Sequence, residues 1–143
     1  MWLKKLMRKN KQFLLKIFWF LLLTTIIYLC ILKNFLKHKH TVVEYMLEGK
    51  KYKLYLADQP KKWQRGLMYI KKLKDVDGML FVFPQKTHHV FYNKNTYLDL
   101  DIYWINGDSV VGKGFLPSIK WSKKIVYLYS PCEVDKVVEL VKR

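Results

Sequence analysis

Asp77-Gly78-Met79-Leu80-Phe81-Val82-Phe83-Pro84, then Phe91-Tyr92-Asn93-Lys94-Asn95-Thr96, then Leu98-Asp99-Leu100-Asp101-Ile102-Tyr103-Trp104-Ile105 form the stretch from which the fold is read. Asp77-Gly78 is a turn signal, and the apolar run Met79–Phe83 is too short for a helix and is closed by Pro84, so it reads as a buried strand. Leu98–Ile105 reads as the next strand. Asn106-Gly107 follows it, a dipeptide suited to a tight hairpin because both residues tolerate positive φ, and the return strand is expected at 109–112. Upstream, Thr41–Leu47 and Tyr52–Ala57 alternate around Glu48-Gly49-Lys50-Lys51, a second hairpin. Between them Pro60 suits a first helical position, Trp63 and Leu67 make an i, i+4 apolar pair, and Gly66 favours termination, which places a short helix at 60–67. A strand at Ile125–Tyr129 precedes Ser130-Pro131. Val134, Val137, Val138 and Val141 have helical spacing.

With Arg65-Gly66-Leu67-Met68 added in front, this series resembles the family named domain of unknown function 192, also known as uncharacterised protein family 0127. The resemblance implies a mainly β, compact, mostly antiparallel domain of sandwich or jelly-roll type with one short helix, and it implies no activity. It also implies a strand at about 137–141, against the helical spacing of the valines, because members carry a Val-Leu-Glu run there. This chain has Asn93 where members have Met and Asp99 where they have Pro, and its 113–124 region has no Cys-containing loop. Members also continue into a Gly-containing segment, so this chain reads as one with a shortened carboxyl end.

The first forty residues have a different character. They hold nine Lys/Arg and no acid, and residues 41–143 hold eighteen Lys/Arg against eleven Asp/Glu. Phe13–Leu32 is apolar except for Lys16, and at ~1.5 Å per residue it covers the roughly 30 Å hydrocarbon core. The expected organisation is a basic cytoplasmic tail at 1–12, a transmembrane helix at 13–32, a basic stalk with His38 and His40 at 33–41, and the β-rich domain at 42–143. Lys4, Lys5, Arg8, Lys9, Lys11 and Lys16 outnumber Lys33, Lys37 and Lys39 across the span, which favours a cytoplasmic amino terminus and an extracytoplasmic domain. A cleaved signal and a lipoprotein signal are the alternatives. The bulky Tyr28-Leu29-Cys30-Ile31-Leu32 run lacks the small residues that cleavage requires. The stalk lies where anionic lipid headgroups are in reach.

Few residues point to chemistry. Of only three arginines, Arg8 and Arg143 lie in the two tails; the planar fork of Arg65 fits a bidentate partner, with Asp77 or Asp101 as a structural bridge or an anionic ligand as the alternative. Asp99 and Asp101, two apart on a strand, share a face near Lys94, an arrangement for acid/base work or cation binding; alternatively Lys94, Asn95, Thr96 and Asp101 form a buried polar cluster tying loop to strand. Adjacent His88 and His89 point to opposite faces of an extended chain, so no metal site is expected, and no cofactor. Cys30 lies in the apolar run, which leaves Cys132 without a disulfide partner in the exported part. No H-E-x-x-H, G-x-S-x-G, P-loop or C-x-x-C occurs, and the lysines are spread rather than patched, which disfavours motif-defined enzymes and nucleic acid as a partner.

The expectation is therefore a membrane-tethered, extracytoplasmic β module that binds an envelope-associated ligand: a glycan, peptide or polymer, with anionic lipid as a further partner. No catalytic residue is assigned. The ligand-binding candidates are Arg65, Tyr92, Lys94, Asn95, Thr96 and Asp101, with Tyr103 and Trp104 as aromatic neighbours on a sheet face. The alternative is a small hydrolase or lyase using Asp99, Asp101 and Lys94.

Overall fold

The structure, a computed structural model, describes the backbone of residues 2–36 and 41–142, and the side chains of 13–32 and 41–142. The stalk histidines His38 and His40 lie outside the described residues. The chain divides into two units, 1–39 and 40–143. The first holds a single helix, α1, Trp2–Leu36, within which Phe13–Leu32 is long and apolar enough to cross a membrane.

The second unit is mainly β, as the turn and strand signals predict. Its elements are β1 Val42–Leu47, β2 Lys50–Ala57, α2 Pro60–Arg65, β3 Gly78–Thr87, β4 Val90–Tyr92, β5 Leu100–Asn106, β6 Ser109–Leu116, α3 Ile119–Ser122, β7 Tyr127–Tyr129 and β8 Val134–Val141. Six strands form one sheet in the order β1-β2-β3-β8-β5-β6, and β4 pairs with β7 in a second, small sheet. All pairings are antiparallel except β2 with β3, whose connection carries α2. The large sheet curls. Lys113 of β6 reaches Glu48 in the β1–β2 turn at 2.6 Å although β3, β8 and β5 lie between β2 and β6.

Two apolar clusters occupy the two faces of this sheet. One gathers Leu47, Leu54, Leu80, Ile105, Val138 and Leu140. The other gathers Ala57, Leu67, Met79, Phe81, Ile102, Trp104 and Val137, with Trp63, Phe91 and Leu128 packed against it from α2 and the small sheet.

Several boundaries shift by a few residues from the sequence reading, and two of the shifts have a clear physical reason. β3 continues through Pro84 to Thr87, because the β3–β8 ladder is interrupted between Val82 and Thr87, and there the missing proline N–H leaves no rung unmade. β8 is a strand, as the family resemblance implies, despite the helical spacing of its valines, and it begins at Val134 rather than at 137. Both its faces are covered, so its apolar residues run nearly continuously instead of alternating, and such a run mimics other periods.

Candidate functional site

Val137, Glu139 and Val141 follow one another on one side of β8, and β8 is flanked on both edges by β3 and β5. Glu139 stands opposite Met79 on β3 and Ile102 on β5, in the middle of the sheet. The residue is 5% exposed, and its Oε2 has no hydrogen-bond partner among the described residues. Burial pushes its carboxyl up to about 8, because a charged carboxylate is disfavoured away from water.

A cavity of about 430 Å³ lies on this side of the sheet, and Glu139 lines it. The end of α2 and the segment after it contribute Trp63, Arg65, Gly66 and Leu67; β3 contributes Phe81 and Phe83; the β3–β4 corner contributes His89 and β4 contributes Phe91 and Tyr92. Local interactions fix these walls. The Trp63 indole N–H donates to the Ala57 carbonyl at 2.9 Å and its ring lies 5.3 Å from that of Phe83. Phe81 meets Phe91 edge to face at 4.9 Å, and His89 stacks on Phe83 at 3.7 Å. Burial also holds the His89 imidazole below its usual pKa, favouring the neutral ring. Gly66 caps α2 at φ +47°, and a Cβ there would come 3.4 Å from the Phe81 ring and 3.8 Å from Glu139 Oε2. Glycine thus ends the helix and leaves the approach to the carboxyl open.

Of the residues anticipated from sequence, Arg65, Tyr92 and Thr96 line this cavity. Lys94, Asn95 and Asp101 are not among its lining residues. Arg65 is exposed and makes no ion pair among the described residues, so neither anticipated bridge forms. Asp77 instead accepts from the Lys53 N–H at 3.0 Å. Asn95 donates to the Tyr69 hydroxyl at 2.7 Å.

The polar tie between loop and strand is made one residue earlier than expected. Asn93 is fully buried, donates to the Pro117 carbonyl and Ser122 hydroxyl at 2.8 Å, and accepts from the Val126 N–H at 2.8 Å. Trp104, expected on a binding face, is 2% exposed in the core. Tyr103 packs with the cluster on the opposite face of the sheet. Asp99 accepts from the Ser118 N–H at 2.7 Å, and neither Asp99 nor Asp101 reaches the cavity. Among the described residues no group of three or more His, Cys, Asp or Glu could hold a metal ion.

Glu139 itself was not singled out by the sequence reading. The available signal was an acid enclosed by apolar residues, Val137-Val138-Glu139-Leu140-Val141, where an ordinary surface carboxylate is out of place.

Comparison with known proteins gives three results. The family model of domain of unknown function 192, described as "Uncharacterized ACR", matches residues 40–142. The chain is similar to a solved structure from Sinorhizobium meliloti 1021 described as a "putative transcription regulator", at 28% identity and TM-score 0.56, over 72% of this chain and 82% of that one. It also shares its fold with a protein of unknown function from Novosphingobium aromaticivorans DSM 12444, at 21% identity and TM-score 0.57, over 71% and 73%. The comparison with curated proteins gives no match.

Proposed function

The chain belongs to the domain of unknown function 192 family, and from that premise we propose that its β domain is a ligand-binding module, held at a membrane by residues 13–32 on the extracytoplasmic side. Its site is the aromatic-walled cavity, which takes up a projecting group of an envelope-associated glycan, peptide or polymer. One observation carries this reading: a buried carboxyl without a partner faces a space large enough for a small organic group. An unpartnered buried polar group is costly and uncommon, and a cavity with a few convergent polar groups is the usual form of a ligand site. The excess of Lys and Arg before the span supports the orientation.

The hydrolase or lyase reading on Asp99, Asp101 and Lys94 has no such support, since these groups stand outside the cavity. The description of the Sinorhizobium meliloti relative as a regulator of transcription is not carried over. Among the described residues, no helix of the β domain exceeds the six residues of α2, too short to serve as a recognition helix in a major groove.

The test is thermal stabilisation of the full chain in lipid nanodiscs by a panel of envelope-derived sugars, peptides and amines. Val90→Trp, at an exposed position lining the cavity, narrows the space and is expected to reduce any stabilisation at least tenfold in ligand potency. Stabilisation by a ligand that ignores Val90→Trp and every other cavity substitution would move the site elsewhere.

A further inference from the structure

Glu139 places a single carboxyl inside walls built from Trp63, Phe81, Phe83 and Phe91. Its neighbours across the strands, Met79 and Ile102, are uncharged, and Gly66 at the end of α2 brings no side chain. Besides Glu139, the titratable or charged groups lining the cavity are Arg65, which is exposed; His89, whose burial favours the neutral ring; and Tyr92. No hydrogen bond from the described residues satisfies Glu139 Oε2, which leaves it free to pair with a bound group.

Three ligand classes compete for such a site. An anion would hold the carboxyl in its protonated form and make no use of its charge, and the one cation lining the space, Arg65, is exposed to water. A neutral acceptor satisfies a protonated carboxyl but makes no use of the aromatic faces beyond apolar contact. A cation satisfies both, because the faces of Trp and Phe rings carry negative potential and an ammonium is attracted to them and to a carboxylate together.

We propose that the group this cavity takes up is a protonated amine, its nitrogen donating to Glu139 and its carbon substituents held among the rings of Trp63, Phe81, Phe83 and Phe91. This rests on the cavity reading given above and names the chemical class that reading leaves open. Entry of the ammonium moves one proton from the Glu139 carboxyl to solvent, since that carboxyl is mostly protonated at neutral pH and must ionise to pair.

The experiment is calorimetric titration of the full chain in nanodiscs with benzylamine and with its neutral analogue benzyl alcohol, at pH 6 and pH 7 and in buffers of different ionisation enthalpy. Benzylammonium is expected to bind with release of close to one proton, about tenfold more tightly at pH 7 than at pH 6. Glu139→Gln is expected to weaken it by roughly a hundredfold, the loss typical of breaking a buried charge pair. If benzyl alcohol binds and benzylammonium does not, or if benzylammonium binding is indifferent to pH and to Glu139→Gln, the amine assignment is overturned while the cavity stands as a ligand site. If neither compound binds and the panel of envelope fragments also gives no stabilisation, the cavity reading falls with it.

Discussion

Glu139 is a residue whose position works against the stability of the fold at neutral pH. A carboxyl whose folded pKa lies near 8, against an ordinary value of 4.5, keeps a proton in the native state that the unfolded chain has lost, so stability falls as pH rises between those two values. Each pH unit inside that window amounts to about 1.4 kcal/mol. His89 has the opposite sense: its depressed pKa removes stability as pH falls below the unfolded value of 6.5. The interval from pH 6.5 to 8 therefore isolates Glu139. Urea unfolding of the wild type is expected to lose roughly 1–2 kcal/mol across it, the slope flattening as pH nears 8, and Glu139→Gln is expected to abolish most of that slope; an equal slope in both proteins would mean that the carboxyl is solvated. The sequence exposed this residue only faintly. An acid among valines on a two-sided buried strand has no motif around it, and what makes it unusual is supplied by β3, β5 and the end of α2, which are distant in the chain. Arg65, Tyr92 and Thr96, which line the cavity, each belong to a segment with a strong local signal. Lys94 and Asp101 were legible as polar residues, but which side of a strand or loop they occupy depends on register.

At the scale of elements, the strands and turns follow from local patterns, and the failures occur where a tertiary contact sets the answer. Gly78 read as half of a turn. It opens β3 and stands opposite Leu140, and a Cβ on it would lie 1.8 Å from the Glu139 carbonyl oxygen. No rotamer change relieves a clash with backbone, so Gly78→Ala is expected to destabilise the domain by at least about 3 kcal/mol in denaturant unfolding. A fully stable alanine variant would show that β3 and β8 do not approach as described. α3 was not anticipated, because beyond its Ser118 cap a four-residue helix rests on distant contacts: the Thr96 carbonyl accepts the Ile119 N–H, and Asn93 holds Ser122. Asn93 is thus held by hydrogen bonds to partners distant in the chain, at Pro117, Ser122 and Val126.

At the scale of the molecule, the sequence foretold a mainly β unit behind an apolar helix, since composition and charge change sharply near residue 40. The expected topology is tested with a reporter active only outside the cytoplasm, fused after Arg143: activity, together with retention of the chain in alkali-washed membranes, is the predicted result, and cytoplasmic reporter activity would reverse the orientation. The place of β8 has one more consequence. This strand is the last of the eight in chain order among the described residues, yet it lies between β3 and β5 and joins the two halves of the large sheet. Synthesis proceeds from the amino end, so the halves β1-β2-β3 and β5-β6 cannot be joined through β8 until residues 134–141 are made. Closure of the large sheet is thus tied to the strand that is made last among the described residues.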